Sequence, residues 1–218
     1  MNYIFIDLEM NDVVDRKDTC KKEIIQIGAV KYNKYLKEID SFSILIKPRY
    51  NDILKDITSL TGITNEKVSD ANYLEDELDK FLDFCGDDYR IISWSNNDYY
   101  QIKRETEFKN IKSDRLKYML KHWFDFQYEF GKMLDIGKGH RASLGVALSI
   151  TGNSFRGKQH DALSDARNTA FLYKISRNKK AFSESYKDVA RMFFPKEEGF
   201  TIKDLIGEDV LNNLKLGD

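Results

Sequence analysis

Five residues of this 218-residue chain have side chains and spacings suited to shared acid–base and metal chemistry: Asp7, Glu9, Asp98, His160 and Asp165. Asp7 and Glu9 stand in the apolar run YIFIDLE (3–9). Residues two apart on a strand face the same side, with Cα atoms roughly 6.5–7 Å apart. Two carboxylates that close, among apolar neighbours, repel each other and lose hydration. One is driven toward protonation unless a divalent cation lies between them. An edge strand whose acids face water accounts for the same pair without a cation. His160 and Asp165 stand in QHDALSDA, with Asp165 one helical turn past Asp161. An imidazole titrates near neutral pH and suits a general base. An acid in the first turn also simply complements the helix dipole, beside an ordinary surface histidine. Asp98 in SWSNNDYY falls at a strand-to-helix junction, where functional groups gather and where Asp also caps helices. Taken together, the five supply four carboxylates and one base. Oxygen ligands suit Mg²⁺ or Mn²⁺ rather than zinc. Two such ions ~3.5–4 Å apart can clamp the attacking and leaving oxygens of an in-line phosphoryl displacement.

These residues need elements to carry them. Ile4, Ile6 and Leu8 alternate with Tyr3, Phe5, Asp7 and Glu9, the pattern of a strand covered on both faces. Glu23–Tyr32 (EIIQIGAVKY) and Ser41–Lys47 (SFSILIK) read as two further strands in an antiparallel meander with the first. Leu74, Leu78, Phe81, Leu82 and Cys85 mark a helix that Gly86 stops. Arg90–Trp94 reads as a short strand, followed by a helix from near Asp98 that carries Ile102, and Trp123–Phe126 as one more short strand. Ser143 caps a helix with Leu144, Ala147 and Leu148, ended by Gly152. From Asp161 on, Ala162, Ala166, Thr169, Ala170 and Tyr173 form a helical stripe. A meander followed by helix–strand alternation predicts an α/β three-layer sandwich around a mixed sheet. Past about residue 185 the pattern feeds no sheet. Thr201 and Asp204 form a T-x-x-D capping signature before the stripe Ile202, Leu205, Ile206 and Val210. The expected division is therefore a domain over 1–182 and a helical extension over 183–218, docked on that same domain or offered to a protein partner.

Composition narrows the class. Hydrophobic residues make up 41% and charged residues 33%, as in a globular chain. Lys+Arg total 35 against Asp+Glu 36, which disfavours a protein that coats duplexes through net positive charge. No apolar run approaches the ~20 residues of a membrane span. The opening MNYIFIDLEMND places acids in the first apolar stretch, so no signal peptide is expected. Two cysteines, Cys20 and Cys85, are too few for a disulfide framework or zinc cluster. The expectation is a soluble cytoplasmic protein.

FIDLEMND, SWSNND and HDALSDA resemble, in that order, the successive motifs of the DEDDh 3′–5′ exonucleases of the DnaQ-like superfamily, which has the ribonuclease H-like fold. EIIQIGAVKY, the turn ITSLTGIT (57–64) and SLGVALSITGNSFRGKQHDALSDARNTA also fall in order. The last stretch most resembles the branch with the sporulation-inhibitor-like and histone-mRNA-type exoribonucleases. The resemblance runs from residue 2 to about 178.

The resemblance implies that Asp7, Glu9, Asp98 and Asp165 hold two Mg²⁺ or Mn²⁺ ions, with Asp7 bridging them and Asp98 acting directly or through water. It makes His160 the base that takes a proton from the attacking water. Met10, Leu60 and Trp94 are implied contacts for the terminal nucleotide, Trp94 through stacking, although a core aromatic beside the sheet explains Trp94 equally. The substrate implied is a single-stranded 3′ end, RNA favoured over DNA, and the product a 5′-mononucleotide. Three positions depart from the pattern: Gln26 for a common glutamate, Ser95 for a glycine, and Asn11 for a threonine or cysteine. Lys138, His140, Arg141, Arg156 and Lys158 could meet phosphates or be solvated loop charges. A proofreading-type DNA exonuclease with a polymerase partner, and a silent nucleic-acid-binding scaffold of the same fold, are the other readings.

Overall fold

The computed structural model describes residues 1–14, 20–137 and 139–195. In chain order its elements are β1 (Asn2–Asp12), β2 (Lys22–Tyr32), β3 (Glu38–Leu45), α1 (Lys55–Thr61), α2 (Asn65–Val68), α3 (Leu74–Cys85), β4 (Tyr89–Ser93), α4 (Asn97–Phe108), α5 (Asp114–Lys121), β5 (Trp123–Asp125), α6 (Phe126–Met133), α7 (Leu144–Ile150), α8 (Ala162–Ile175) and α9 (Lys179–Phe193). The strands form one sheet in the order β3-β2-β1-β4-β5. β1 and β2, and β2 and β3, pair antiparallel, whereas β4 joins β1 and β5 joins β4 in parallel.

The alternation in β1 separates two cores. Ile4, Ile6 and Leu8 pack with Leu74, Leu78 and Phe81 of α3, Ile102 of α4, and Leu116 and Met119 of α5. Phe5, on the other face, packs with Phe126 and Phe130 of α6, Ala147 of α7 and Ala166 and Ala170 of α8. Helices therefore cover both faces, which is the three-layer sandwich the pattern predicts. A smaller cluster, Ile25, Ile53, Ile57, Ile63 and Val68, seats α1 and α2 near the start of β2.

Two local features shape the sheet where the acids sit. Glu9 is opposite Gln26 and Met10 opposite Ile24, so Ile25 has no partner residue and forms a β-bulge. Bulges bend a strand and re-aim the side chains beside it. The second feature is Gly28, opposite Asp7. A methyl group there would overlap the backbone of Ala162 and Leu163. A residue without Cβ lets the first turn of α8 lie directly on the sheet.

The boundary expected between 182 and 183 falls inside α9. Phe182 and Ala190 are buried, and Tyr186 and Val189 pack beside them on the α8 side of the sheet. The stripe steps by four, three and one, so this helix covers the core although it leads to no strand. The capped helix expected from Thr201 to Val210 lies outside the described residues. Among the described residues, no helix is long and apolar enough to cross a membrane.

Candidate active site

The carboxylates converge because three elements deliver them to one edge of β1. Asp7 and Glu9 share the face of β1 that α8 covers. Asp165 stands in the first turn of α8, whose N-cap Asp161 accepts a hydrogen bond from the Ser164 backbone N–H at 3.1 Å. Gln26 ties that turn to the sheet. Its amide donates to Asp161 Oδ1 and to Ser43 Oγ, each at 3.3 Å, and accepts from the Ala162 backbone N–H at 3.3 Å. An amide provides donor and acceptor together, so Gln26 spans the helix terminus from both sides. Asp98 comes from the first turn of α4, beyond the end of β4; Asn96, rather than Asp98, occupies the cap position.

One ligand oxygen each from Asp7, Glu9 and Asp165 lies within 4.8 Å of the others. Asp98 is buried and joins them in lining a cleft of about 450 Å³ whose wall also carries His160, Met10, Trp94 and Leu144. The electrostatics are those of a cage built for positive charge. Burial pushes Glu9 up to about 8, with the charges of Asp165, Asp98 and Asp161 adding to the shift. Burial likewise raises Asp98 and Asp165 to about 7, even though backbone N–H groups (of Asp98 and Leu8 for the former, of His160 and Asp161 for the latter) pull them down. Asp7 is raised well above its ordinary value by burial, then by Asp98, Asp165 and Glu9. In addition, Asp165 Oδ2 is buried with no hydrogen-bond partner. A buried oxygen without a donor costs about 1–3 kcal/mol, more when charged. A hard dication would relieve that cost and the mutual repulsion together, so the donor set fits such an ion.

His160 is exposed and precedes α8 in a left-handed conformation, φ 60°. The segment before it is anchored at several points. Asn168 on α8 receives the Arg156 N–H at 3.1 Å and donates to the Arg156 carbonyl at 2.8 Å. The Lys158 ammonium donates to the Thr61 carbonyl at 2.7 Å.

The remaining expected contacts divide. Met10 lines the cleft at the bulge. Trp94 is only 6% exposed; its indole N–H donates to the Ala142 carbonyl at 3.1 Å and its ring packs edge-on against Phe126 and Phe130. The ring is thus a core aromatic that touches the cleft. Leu60 is 48% exposed on α1, outside the cleft lining, because α1 turns Ile57 and Thr61 inward instead. Asn11 is buried and joins β1 to the start of α1 through the Asp52 carbonyl and the Leu54 N–H. Ser95 lines the cleft. Of the loop cations, Lys138 lies outside the described residues. Arg141 pairs with Asp125 at 3.3 Å and, with His140, lines a separate pocket beside α6. Arg156 stacks over Phe171. None of His140, Arg141, Arg156 and Lys158 lines the cleft.

The cleft wall also holds Lys22, Gln101 and Arg104, which the sequence reading did not single out. Gln101 stands one turn past Asp98, so the helical period of α4 is a signal that could have found it.

Gly28→Ala is expected to lower the melting temperature and weaken Mn²⁺ binding together. The added methyl must displace the first turn of α8, and overpacking costs about 1–3 kcal/mol. Thermal unfolding with and without Mn²⁺ checks this; a destabilised variant with unchanged Mn²⁺ affinity would show that Asp165 does not depend on that close approach.

Residues 4–173 match the family model described as Exonuclease. The chain belongs to this exonuclease family. Its members depend on divalent metal ions, as the carboxylate cluster fits. The chain is 34% identical over 105 residues to a PolC-type DNA polymerase III of Caldanaerobacter subterraneus subsp. tengcongensis, covering 48% of this chain and 7% of that protein. It is 27% identical over 198 residues to ERI1 exoribonuclease 2 of Mus musculus, covering 78% of this chain and 27% of that protein. This chain therefore spans about a quarter or less of these relatives. In structure it is similar to the nuclease domain of 3′hExo, a DEDDh family member bound to rAMP, with TM-score 0.69, 20% identity, and 85% and 94% of the two chains covered.

Proposed function

We propose that this chain hydrolyses single-stranded nucleic acid, RNA in preference to DNA, from its 3′-hydroxyl end and releases 5′-mononucleotides. The carrying observation is the Asp7–Glu9–Asp165 cluster, with an unpartnered buried Asp165 oxygen, in a cleft that His160 also lines. Asp7, Glu9, Asp98 and Asp165 would hold two Mg²⁺ or Mn²⁺ ions. Such ions supply Lewis-acid activation of water and neutralise charge on the phosphate. The carboxylates' own part is to stay ionised when the ions bind and to fix their places. His160 accepts the proton of the attacking water at an imidazole nitrogen and, being exposed, passes it to solvent. Met10 and the edge of Trp94 border the space left for the terminal nucleotide.

RNA is favoured by the likeness to a protein named an exoribonuclease. The PolC-type relatives support the second reading, a DNA 3′–5′ exonuclease. One assay separates them: release of mononucleotide from matched single-stranded RNA, single-stranded DNA and duplex ends with Mn²⁺ or Mg²⁺. Faster release from RNA is expected, together with loss of release when the 3′ hydroxyl is blocked. Cleavage of blocked substrate would mean an endonuclease, and binding without release would mean a silent scaffold.

A further inference from the structure

We propose that a second surface, running from Lys22 and Arg104 along α4 to Phe108 and Tyr50, holds the nucleotides 5′ of the terminal one. It rests on the exonuclease reading and extends the same cleft. Lys22 and Arg104 line the cleft wall, so the track begins inside it. The Arg104 Nε donates to the Tyr100 carbonyl at 3.1 Å, which steadies the side chain. Among the described residues its terminal amino groups form no ion pair with a carboxylate, and they are free to take a phosphate.

Phe108 lies one turn further along the exposed side of α4, about 6 Å down the axis. Phe108 is 41% exposed and Tyr50 43%, and their rings meet with centroids 5.9 Å apart. One buried ion cluster ties down the backbone that carries both rings. Glu23 accepts the Arg49 and Tyr50 backbone N–H groups at 2.9 Å. Lys109, next to Phe108, turns inward to Glu23 at 3.2 Å and Glu105 at 2.8 Å. Burying such an ion cluster is expensive and is a way of fixing geometry. Here it anchors two outward-facing aromatic rings beside the line from the active cleft. Of the acids nearby, Asp12 pairs with Lys22 and Glu75 with Arg49, while Glu107 is exposed on the same helix.

Cations in line with exposed aromatic rings match the alternating phosphates and bases of a single strand. Stacking tolerates any base, and a base inside a duplex has both faces covered by its stacked neighbours. The acidic cleft floor repels phosphate before cations bind, so phosphate-holding groups must lie along the walls and beyond.

The test measures kcat/KM for release of the terminal nucleotide from a dinucleotide and from an octanucleotide with the same 3′ end. Wild-type protein is expected to favour the octanucleotide by about tenfold or more. Tyr50→Ala with Phe108→Ala lowers that preference about tenfold through KM, while Phe108→Trp keeps it. Arg104→Ala lowers it too and flattens the salt dependence. A length preference untouched by the aromatic substitutions, or no preference in wild type, overturns the track alone. A dimer in sedimentation that the aromatic substitutions dissociate overturns it in favour of a second copy on this surface. Wild-type protein that releases nothing from either length overturns the exonuclease reading and the track with it.

Discussion

Asp7→Asn is expected to abolish divalent-ion binding and nucleotide release, and at the same time to make the metal-free protein more stable at pH 8. The two effects have one cause. Asp7 is hemmed in by burial and by the charges of Asp98, Asp165 and Glu9. Carboxylates that ionise near 4 in the unfolded chain are held at about 7 for Asp98 and Asp165 and about 8 for Glu9 in the folded one. The folded state therefore binds extra protons between roughly pH 4 and 8. What these groups contribute to stability is fully present below their unfolded values and is lost as pH rises through the folded ones. Metal-free protein should lose stability across that window. A bound dication favours the ionised forms, so the rise in melting temperature caused by Mn²⁺ should grow from pH 5 to pH 8. The amide of Asn keeps the volume of Asp and removes one charge from the cage. Because the four groups share protons, the gain belongs to the cluster as a whole and appears as a higher melting temperature of the metal-free protein at pH 8. Thermal unfolding from pH 5 to 8, with and without Mn²⁺, reads both effects. An Asp7→Asn protein that still releases nucleotide with Mn²⁺ would remove Asp7 from the centre of the site.

The parts of this design that sit in one stretch of chain could be read without a structure. The alternation Ile4, Ile6, Leu8 against Phe5 and Asp7 announced a strand covered on both faces, and the two cores follow it residue for residue. Asp7 and Glu9 stand out against apolar neighbours and Asp165 against small ones, while Asp98 and His160 stand out by their place at the start of a helix. What brings them within reach is carried by residues with no such contrast. Gly28 matters through an absent side chain, and only the position of α8 reveals it. Trp94 was legible as an aromatic, but whether its face is free depends on Phe126, Phe130 and Ala142, all distant in sequence. Lys158 answers a carbonyl 97 residues away. The stripe of Phe182, Tyr186 and Val189 was present in the sequence, yet a search for sheet-feeding elements passes over a helix that only covers a core. Arg104 and Lys22 were hidden for a different reason: in a chain with 35 basic residues, composition singles out none of them.

His160→Asn is expected to lower kcat about 10²–10⁴-fold, as loss of a general base does, while the Mn²⁺-dependent rise in melting temperature persists. Asn is the informative replacement because of the backbone. At φ 60° a residue with an ordinary Cβ is strained, and Asn tolerates that region better than most. His160→Ala removes the base but also adds strain beside Asp165, whose carboxylate the His160 backbone N–H supports. Comparing the two separates chemistry from geometry. If proton transfer is the role, both variants lose turnover alike, and added imidazole restores part of it, since the side chain it replaces is open to solvent. If the residue serves only to place Asp165, Ala weakens Mn²⁺ binding, Asn retains near-normal turnover, and imidazole does nothing. The acids set where a cation can sit, so their loss appears as lost binding. The histidine sits beyond them on the wall, and its loss should appear in turnover with binding intact.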